Sequence, residues 1–360
     1  MCVPIFCKKF SVGREFFLSP TLNIIQPVYV KIIISNDVKR SIVLNLCETK
    51  SMDLIAREHC VSPTSVARIL RLTEYRRRKN YLPRILSIDE FKSVNTVDAS
   101  MSVNLTDLEG GHIFDILVDR RQRYLFEYFN SYPLKVRKRV EYVTTDMYKP
   151  YIDLAKKVFP NANIVVDKFH IVQLLTRELN KLRINEMKKL NTRSREYKIL
   201  KRYWKIPLAK NCELNRIYFY KNRHFKNMTS SIDILDYMLK EFPNLKEAYD
   251  FYQNFLLSIS KNDVAMLEDI LNTRTDKIPM CFRKSIKTLK KLRKYVVNSL
   301  KYDYTNAMVE GKNNKIKVIK RISYGYRSFR NFKARIMLME RYKIQKGNIH
   351  SYQFAIDAAA

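Results

Sequence analysis

Glycine is scarce in this chain, with six in 360 residues. None begins a Gly-x-x-x-x-Gly-Lys pattern, which excludes a glycine-rich phosphate loop. Acidic residues are also few: 35 Asp+Glu stand against 68 Lys+Arg, a formal charge of +33 and a pI of about 9.9. An excess of that size excludes a cationic partner and draws the chain to a polyanion: DNA, RNA or an anionic membrane surface. Long apolar runs are missing too. The most apolar early stretch, residues 16–34, is interrupted by Pro20, Pro27 and Lys31. No run reaches the roughly 18–20 residues of a membrane span. No small-residue cleavage site follows a clean apolar core, so no signal peptide is read. The expectation is a soluble, cytoplasmic chain with no membrane partner. Finally, no Cys-x-x-Cys pair occurs. Cys2, Cys7, Cys47, Cys60, Cys212 and Cys281 are scattered, which suits free thiols and predicts no zinc site.

What is present is a mass of 43.0 kDa, enough for two or three domains. Hydrophobic residues at 46% and aromatics at 12% exclude wholesale disorder. Residues 1–40 mix Pro, Phe and Ile without a clear period, whereas residues 41–75 read as helical. A basic link from Arg76 to Lys79 leads to Pro83. From Ile85 the pattern changes to short strands: 85–93, then 101–107 and 112–119 as a hairpin about Gly110-Gly111, then 140–145 and 164–167. Residues 123–129 fit either a strand extension or a helix. A helix is expected near Pro150, a residue tolerated in the first turn, and a long one from about Phe169. Residues 175–300 read almost entirely as helix, with Leu289, Leu292, Val296 and Leu300 at helical spacing. A last helix begins near Asn306. The fold class is mixed α/β.

Two constellations stand out. In the first, Ser51 and Ser62 can each cap a helix, with Asp53 in the first turn of one and Pro63 at the first position of the other. Ile55, Val61, Val66 and Ile69 have the spacing to bury one face of each helix, and Ala56 permits close contact. As a helix-turn-helix, the pair would offer Thr64, Ser65, Arg68 and Arg71 to a major groove; the plainer reading is a helical hairpin. The turn position often held by glycine is Cys60, which costs about 1 kcal/mol if left-handed.

The second constellation is three separated carboxylates. Asp89 lies inside an apolar strand, Asp146 ends another, and Glu310 lies on the closing helix. There Glu310, Asn314, Lys317 and Arg321 share a polar face, with Val309, Ile316 and Ile319 toward the other side. Strand-end carboxylates are costly unless paired, protonated or metal-bound. Three such acids suit two Mg²⁺ ions, with Mn²⁺ as a substitute, in a phosphoryl-transfer site. The plainer readings are a helix cap for Asp146, an exposed strand residue for Asp89 and a lysine partner for Glu310. Alternation puts Glu90 on the opposite face from Asp89.

The wording around these acids is more specific. VTTDMYKPY, PNANIVVDKFHIVQ and TNAMVEGKNNKIKVIKR with its following ISYGYRSFRNFKARIML resemble the DDE transposases of the ISL-three insertion-sequence family, and SIDEFKS matches the first catalytic segment. The resemblance covers roughly residues 45–345. It implies a ribonuclease-H-like core interrupted by an all-helical insertion and preceded by the helix-turn-helix. It also implies Asp89, Asp146 and Glu310 as the metal-binding catalytic triad. Asp167 and His170 resemble a D-x-x-H element with a supporting role at a phosphate or flanking base; a structural histidine at a helix start is the alternative. The implied partners are the element's terminal inverted repeats and target DNA, in a bacterial, nucleoid-associated setting, with at least a homodimer holding two ends. One departure is visible: the cysteine-rich zinc-binding region usual before the helix-turn-helix has no counterpart in residues 1–40.

The resulting division is 1–40, an unclear N-terminal segment; 41–80, helix-turn-helix; 83–174, first part of the core; 175–300, helical insertion; 301–345, closing helix and basic tail; and 346–360, C-terminal tail. Along the closing segment Asn313, Asn314, Lys315, Lys317, Lys320 and Arg321 are expected to face DNA, followed by Tyr324, Tyr326, Arg327 and Arg330. Trp204 reads as core, or as a residue beside a flipped base. The function expected is Mg²⁺-dependent DNA cleavage and strand transfer; the alternative is a decayed, non-catalytic DNA-binding derivative.

Overall fold

The computed structural model describes residues 34–74, 78–95, 97–98, 100–304 and 307–341. The N-terminal segment through residue 33, with Cys2 and Cys7, Arg76 and Arg77 of the basic link, Asn306, and the tail from residue 342 lie outside these. The four cysteines among the described residues are free thiols.

Three short helices come first: α1 (Asn36–Cys47), α2 (Met52–Glu58) and α3 (Pro63–Leu72). The capping expected from the sequence is present. Ser51 Oγ accepts the Leu54 N–H and Ser62 Oγ accepts the Ser65 N–H, each at 3.1 Å, and Pro63 opens α3. Cys60 has φ +51°, so the left-handed turn is made by a residue with a Cβ. The helix α1 begins within the stretch where the sequence shows no period. It buries Ile42, Val43 and Leu46 against the other two helices.

The sheet follows. β1 (Ile85–Lys92), β2 (Met101–Asp107) and β3 (His112–Leu117) form an antiparallel meander. Then come α4 (Gln122–Asn130), the one-turn α5 (Leu134–Arg137), β4 (Tyr142–Thr145), α6 (Lys149–Val158) and β5 (Asn163–Val166). β4 and β5 add parallel to the other edge of β1, giving the order β3-β2-β1-β4-β5. The segment left open between strand and helix is thus helical, as α4.

A helical block succeeds the sheet: α7 (Lys168–Lys188), α8 (Arg195–Arg202), α9 (Ser231–Glu241), α10 (Pro243–Ser260), α11 (Val264–Asn272), α12 (Arg283–Lys291) and α13 (Arg293–Lys301). Its expected continuity fails between α8 and α9. There two 3-10 turns, Ile206–Leu208 and Asn211–Glu213, interrupt it, and a two-stranded ribbon, β6 (Tyr220–Lys221) with β7 (Met228–Thr229), follows. Four apolar residues in succession, 217–220, match neither a helical nor a strand period. One apolar cluster runs from Leu82 to Leu300, so this block and one sheet face share a core.

The chain closes with two helices, α14 (Ala307–Ile322) and α15 (Phe329–Arg341). The break between them is a turn in which the Gly325 N–H bonds the Lys320 carbonyl at 3.2 Å and the Tyr324 N–H bonds that of Arg321 at 2.9 Å. Tyr324 and Gly325 both have positive φ there, a C-terminal cap that stops α14. Ile316 and Ile319 of α14 and Phe332 and Ile336 of α15 cover the second sheet face at Phe91, Ile113 and Ile116. The other side of α15, at Ala334 and Leu338, packs into the three-helix unit. α15 therefore joins that unit to the sheet. Among the described residues no helix is long and apolar enough to cross a membrane.

Replacing Cys60 by glycine removes the left-handed penalty at little cost in contacts. We expect Cys60→Gly to raise stability by about 0.5–1 kcal/mol. The check is the urea midpoint at unchanged slope; an unmoved or lower midpoint refutes the assignment of strain to this turn.

Candidate active site

Strand register places three aspartates in one row. Ile88 of β1 pairs with Thr145 of β4, and Thr145 pairs with Val166 of β5. The next residues are Asp89, within β1, and Asp146 and Asp167, each just past the end of its strand; the three strands are adjacent and parallel. The Asp167 N–H continues the ladder to the Thr145 carbonyl at 3.0 Å. Leu86 and Ile88 point into the core shared with the helical block, so alternation turns Asp89 to the opposite face. Glu90 faces the core side: it accepts from the Tyr151 hydroxyl at 2.5 Å and pairs with Arg120 at 2.9 Å.

The row concentrates negative charge where water is restricted. Asp89 accepts the Glu90 N–H and the Asn313 Nδ2–H, each at 2.8 Å. Burial pushes its carboxyl above the usual range, the Glu90 N–H works against this, and the Asp146 charge adds to the rise. Burial also raises the carboxyl of Asp146, opposed by the Tyr148 N–H at 3.0 Å. No lysine or arginine among the described residues pairs with either acid. Asp167 caps α7, and His170 in its first turn sits with Nε2 3.8 Å from the Asp167 carboxylate. His170 lies close enough to counter the charge on both Asp89 and Asp146. A cleft of about 260 Å³ opens beside Asp146, bounded by Tyr148, His170, Gln173, Leu174 and Arg177.

α14 comes to this row with a different residue from the one expected. Glu310 is exposed, and no three His, Cys, Asp or Glu side chains among the described residues are grouped as a metal-holding set. Asp89 and Asp146 are brought together; Glu310 stands one turn of helix away from the contact. That contact belongs to Asn313, which is buried, donates to Asp89 and accepts from Asn104 Nδ2 at 3.0 Å. Asn313, grouped above with DNA-facing residues, instead lies on the stripe Val309, Ile316 and Ile319. Helical spacing held that signal. The polar character of the residue concealed it.

The expected DNA-facing residues divide. Thr64, Arg68, Asn314, Lys317 and Arg321 are exposed and Ser65 is half-buried. Three others are engaged within the chain. Arg71 donates to Asn331 at 2.8 Å, Lys315 to Glu340 at 3.3 Å and to the Met339 carbonyl at 2.9 Å, and Lys320 to the Ser93 carbonyl at 2.5 Å. Further along, Arg330 pairs with Glu74 and Tyr326 is buried. Trp204, read as core or as base-facing, is half-exposed.

The raised carboxyl of Asp146 has a stability consequence of definite sign. At neutral pH its charged form is disfavoured in the folded state, and protonation relieves this as pH falls through the folded pKa. Asparagine keeps an oxygen for the Tyr148 N–H. Asp146→Asn is therefore expected to unfold at higher temperature than wild type at pH 7, with the gap closing as pH falls toward 3.8, the unperturbed value. Thermal unfolding across pH checks this; a variant less stable at pH 7 contradicts it.

The comparisons with known proteins bear on the row and its surroundings. A protein of Lactococcus lactis subsp. lactis named ATP-dependent protease is 30% identical over 197 residues, 54% of this chain and 62% of its own length. The chain thus spans less than two thirds of that relative. The model of a family described as transposase, of the ISL-three DDE type, matches residues 86–336, a stretch that includes all three aspartates of the row, His170, Asn313 and Glu310. On that match the chain belongs to the ISL-three DDE transposase family.

Proposed function

We propose that this protein is the transposase of a bacterial insertion sequence, cutting DNA at the element's ends and joining the 3′-ends to a target. The observation that carries the reading is the pair Asp89 and Asp146, each the residue after the paired Ile88 and Thr145 of adjacent parallel strands, half-buried and without a lysine or arginine partner among the described residues. The strand order β3-β2-β1-β4-β5 suits a ribonuclease-H-like core. The α2–α3 pair, with its capped second helix and exposed Thr64 and Arg68, suits a helix-turn-helix reading element-end DNA.

The acid pair fits a divalent cation. Two hard oxygen donors are held together, both with carboxyls pushed up by burial, which a bound cation would reverse. Asp89 and Asp146 would hold Mg²⁺, with Glu310 as the third acid. Bound there, the metal supplies Lewis-acid activation of a water or 3′-hydroxyl and of the leaving oxygen. The chain's own groups do the rest. Asn313 and the Glu90 N–H orient the Asp89 carboxylate, and the Tyr148 N–H fixes one oxygen of Asp146 and leaves the other open. Arg177 and His170, on the wall of the cleft, are placed to receive a phosphodiester. Two ends must be cut together, so the acting species is at least a dimer on DNA.

A second reading, a DNA-binding derivative that no longer cleaves, is favoured by one observation: Glu310 is exposed on α14, and Asn313 is the α14 residue that contacts Asp89. Cleavage and joining of labelled element-end DNA with Mg²⁺ separates the two. On the first reading wild type is active, and Asp146→Asn and Glu310→Gln each lose at least about 100-fold, the scale of one positioned catalytic group. Full activity in Asp146→Asn sinks it. No cleavage by wild type, with salt-sensitive DNA binding intact, establishes the second. In either case Arg68→Ala should weaken element-end binding about ten-fold in a filter or anisotropy titration; unchanged affinity removes α3 from the interface.

A further inference from the structure

Between α8 and α9 the chain turns its large apolar side chains outward. Ile217, Tyr218, Phe219 and Tyr220 are consecutive and exposed at 78%, 74%, 53% and 42%, and Met228 across the ribbon is exposed at 60%. A run of large apolar side chains exposed on a folded chain marks a contact surface; Met228, which pairs with Lys221, lies on the ribbon face opposite Tyr220. Polar side chains build this one from within. Asn215 Oδ1 accepts the N–H groups of Ile217 and Tyr218 at 3.1 and 3.0 Å, and its amide donates to the Tyr218 carbonyl at 2.7 Å. Asn222 is buried, donates to the Thr229 carbonyl at 3.2 Å and accepts from the Tyr203 hydroxyl at 3.2 Å. The amides that would ordinarily face water hold the ribbon's shape, and the rings face solvent.

Between Glu213 and Asp233 the charge along the chain has one sign. Residues 214–232 include Arg216, Lys221, Arg223 and Lys226 and no Asp or Glu, and all four cations are exposed. A second copy would set these cations against themselves on a molecule of charge +33, which electrostatics opposes. An unpaired nucleotide suits the surface better, because it presents a phosphate and an open base face together; a duplex keeps its base faces stacked inside. The segment leading to the ribbon also lies alongside the helix that lines the cleft. The Tyr252 hydroxyl donates to the Leu208 carbonyl at 3.1 Å and meets Thr176 Oγ1 at 2.8 Å. Thr176 is on α7 between the cleft residues Gln173 and Arg177.

We propose that Tyr218, Phe219 and Tyr220 form a stacking platform for unpaired nucleotides of the DNA being processed. This rests on DNA as the substrate, and it extends that reading to a second, non-catalytic contact. Flat rings hold the bases without regard to sequence, and the four cations hold the backbone.

The test uses the full chain and three labelled DNAs: a blunt duplex, the same duplex with a single-stranded extension, and the extension alone. Anisotropy titrations at one salt concentration compare wild type with Tyr218→Ala/Phe219→Ala. The expected result is about ten-fold weaker binding of the two DNAs with unpaired bases, with the blunt duplex unchanged. Tyr218→Phe should retain wild-type affinity for all three. Equal loss on every probe, or loss on none, overturns the platform. So does a wild-type dimer that the double variant converts to monomer in light scattering without altering DNA affinity, which would make the patch a contact between copies. If the double variant fails to unfold cooperatively, each single alanine variant is read by the same comparison. Wild type that binds none of the three DNAs overturns this inference and the DNA-processing reading together. Wild type that binds the blunt and extended duplexes equally overturns the platform alone.

Discussion

Glu340, near the end of α15, reaches the interior and meets three donors: the Lys312 and Lys315 ammonium groups of α14 and the Ile113 N–H of β3. Burial would raise its carboxyl, but the two cations and the main-chain bond outweigh burial and hold it below the usual range. It is therefore charged wherever the protein is folded at neutral pH. Removing the Glu340 carboxylate would strand the Lys312 ammonium and the Ile113 N–H together, at a cost of about 3–5 kcal/mol. Lys312 and Lys315 bracket Asn313, the residue that touches Asp89. The same clamp thus sets the register of α14 against the sheet, and with it what the helix offers to the acid row.

The neighbouring interface is built at a cost. Arg335 of α15 is fully buried, and only its Nη2 is satisfied, by the carbonyls of Glu48 and Lys50 in the turn after α1. Its Nε and Nη1 have no partner among the described residues. Each unmet donor is unfavourable by about 1–3 kcal/mol. The apolar contacts of Ala334 and Leu338 with the three-helix unit offset this. Stability at that junction comes from packing, and direction comes from the two carbonyl contacts.

Much of this was legible in the sequence where period and capping speak directly. The serine caps, Pro63, the left-handed Cys60 and the opposite facing of Asp89 and Glu90 all follow from local rules. The aspartate row was legible in part, because each acid follows or interrupts an apolar strand; only pairing register could bring them side by side. Periodicity names the face of a helix that is buried, not the partner that buries it. For that reason Lys315, Lys320 and Arg71 read as free cations, although each has a partner far away in the chain or on another element. Asn313 was hidden because a polar residue on an apolar stripe looks like an interruption of it. The ribbon was hidden because four successive apolar residues suggest core.

The double burial of α15 has a mechanical consequence. One side of this helix lies on the sheet that carries the acid row and the other lies in the three-helix unit. If the three-helix unit reads DNA and the acid row cuts it, as proposed, a rigid rod shared by the two would act as a ruler. The spacing from the sequence that is gripped to the phosphate that is attacked would then be set by the thickness and pitch of α15, not by the length of the connecting segment between α3 and β1. Elements that share this rod would keep one fixed offset between recognition and cleavage while their connecting segments varied in length.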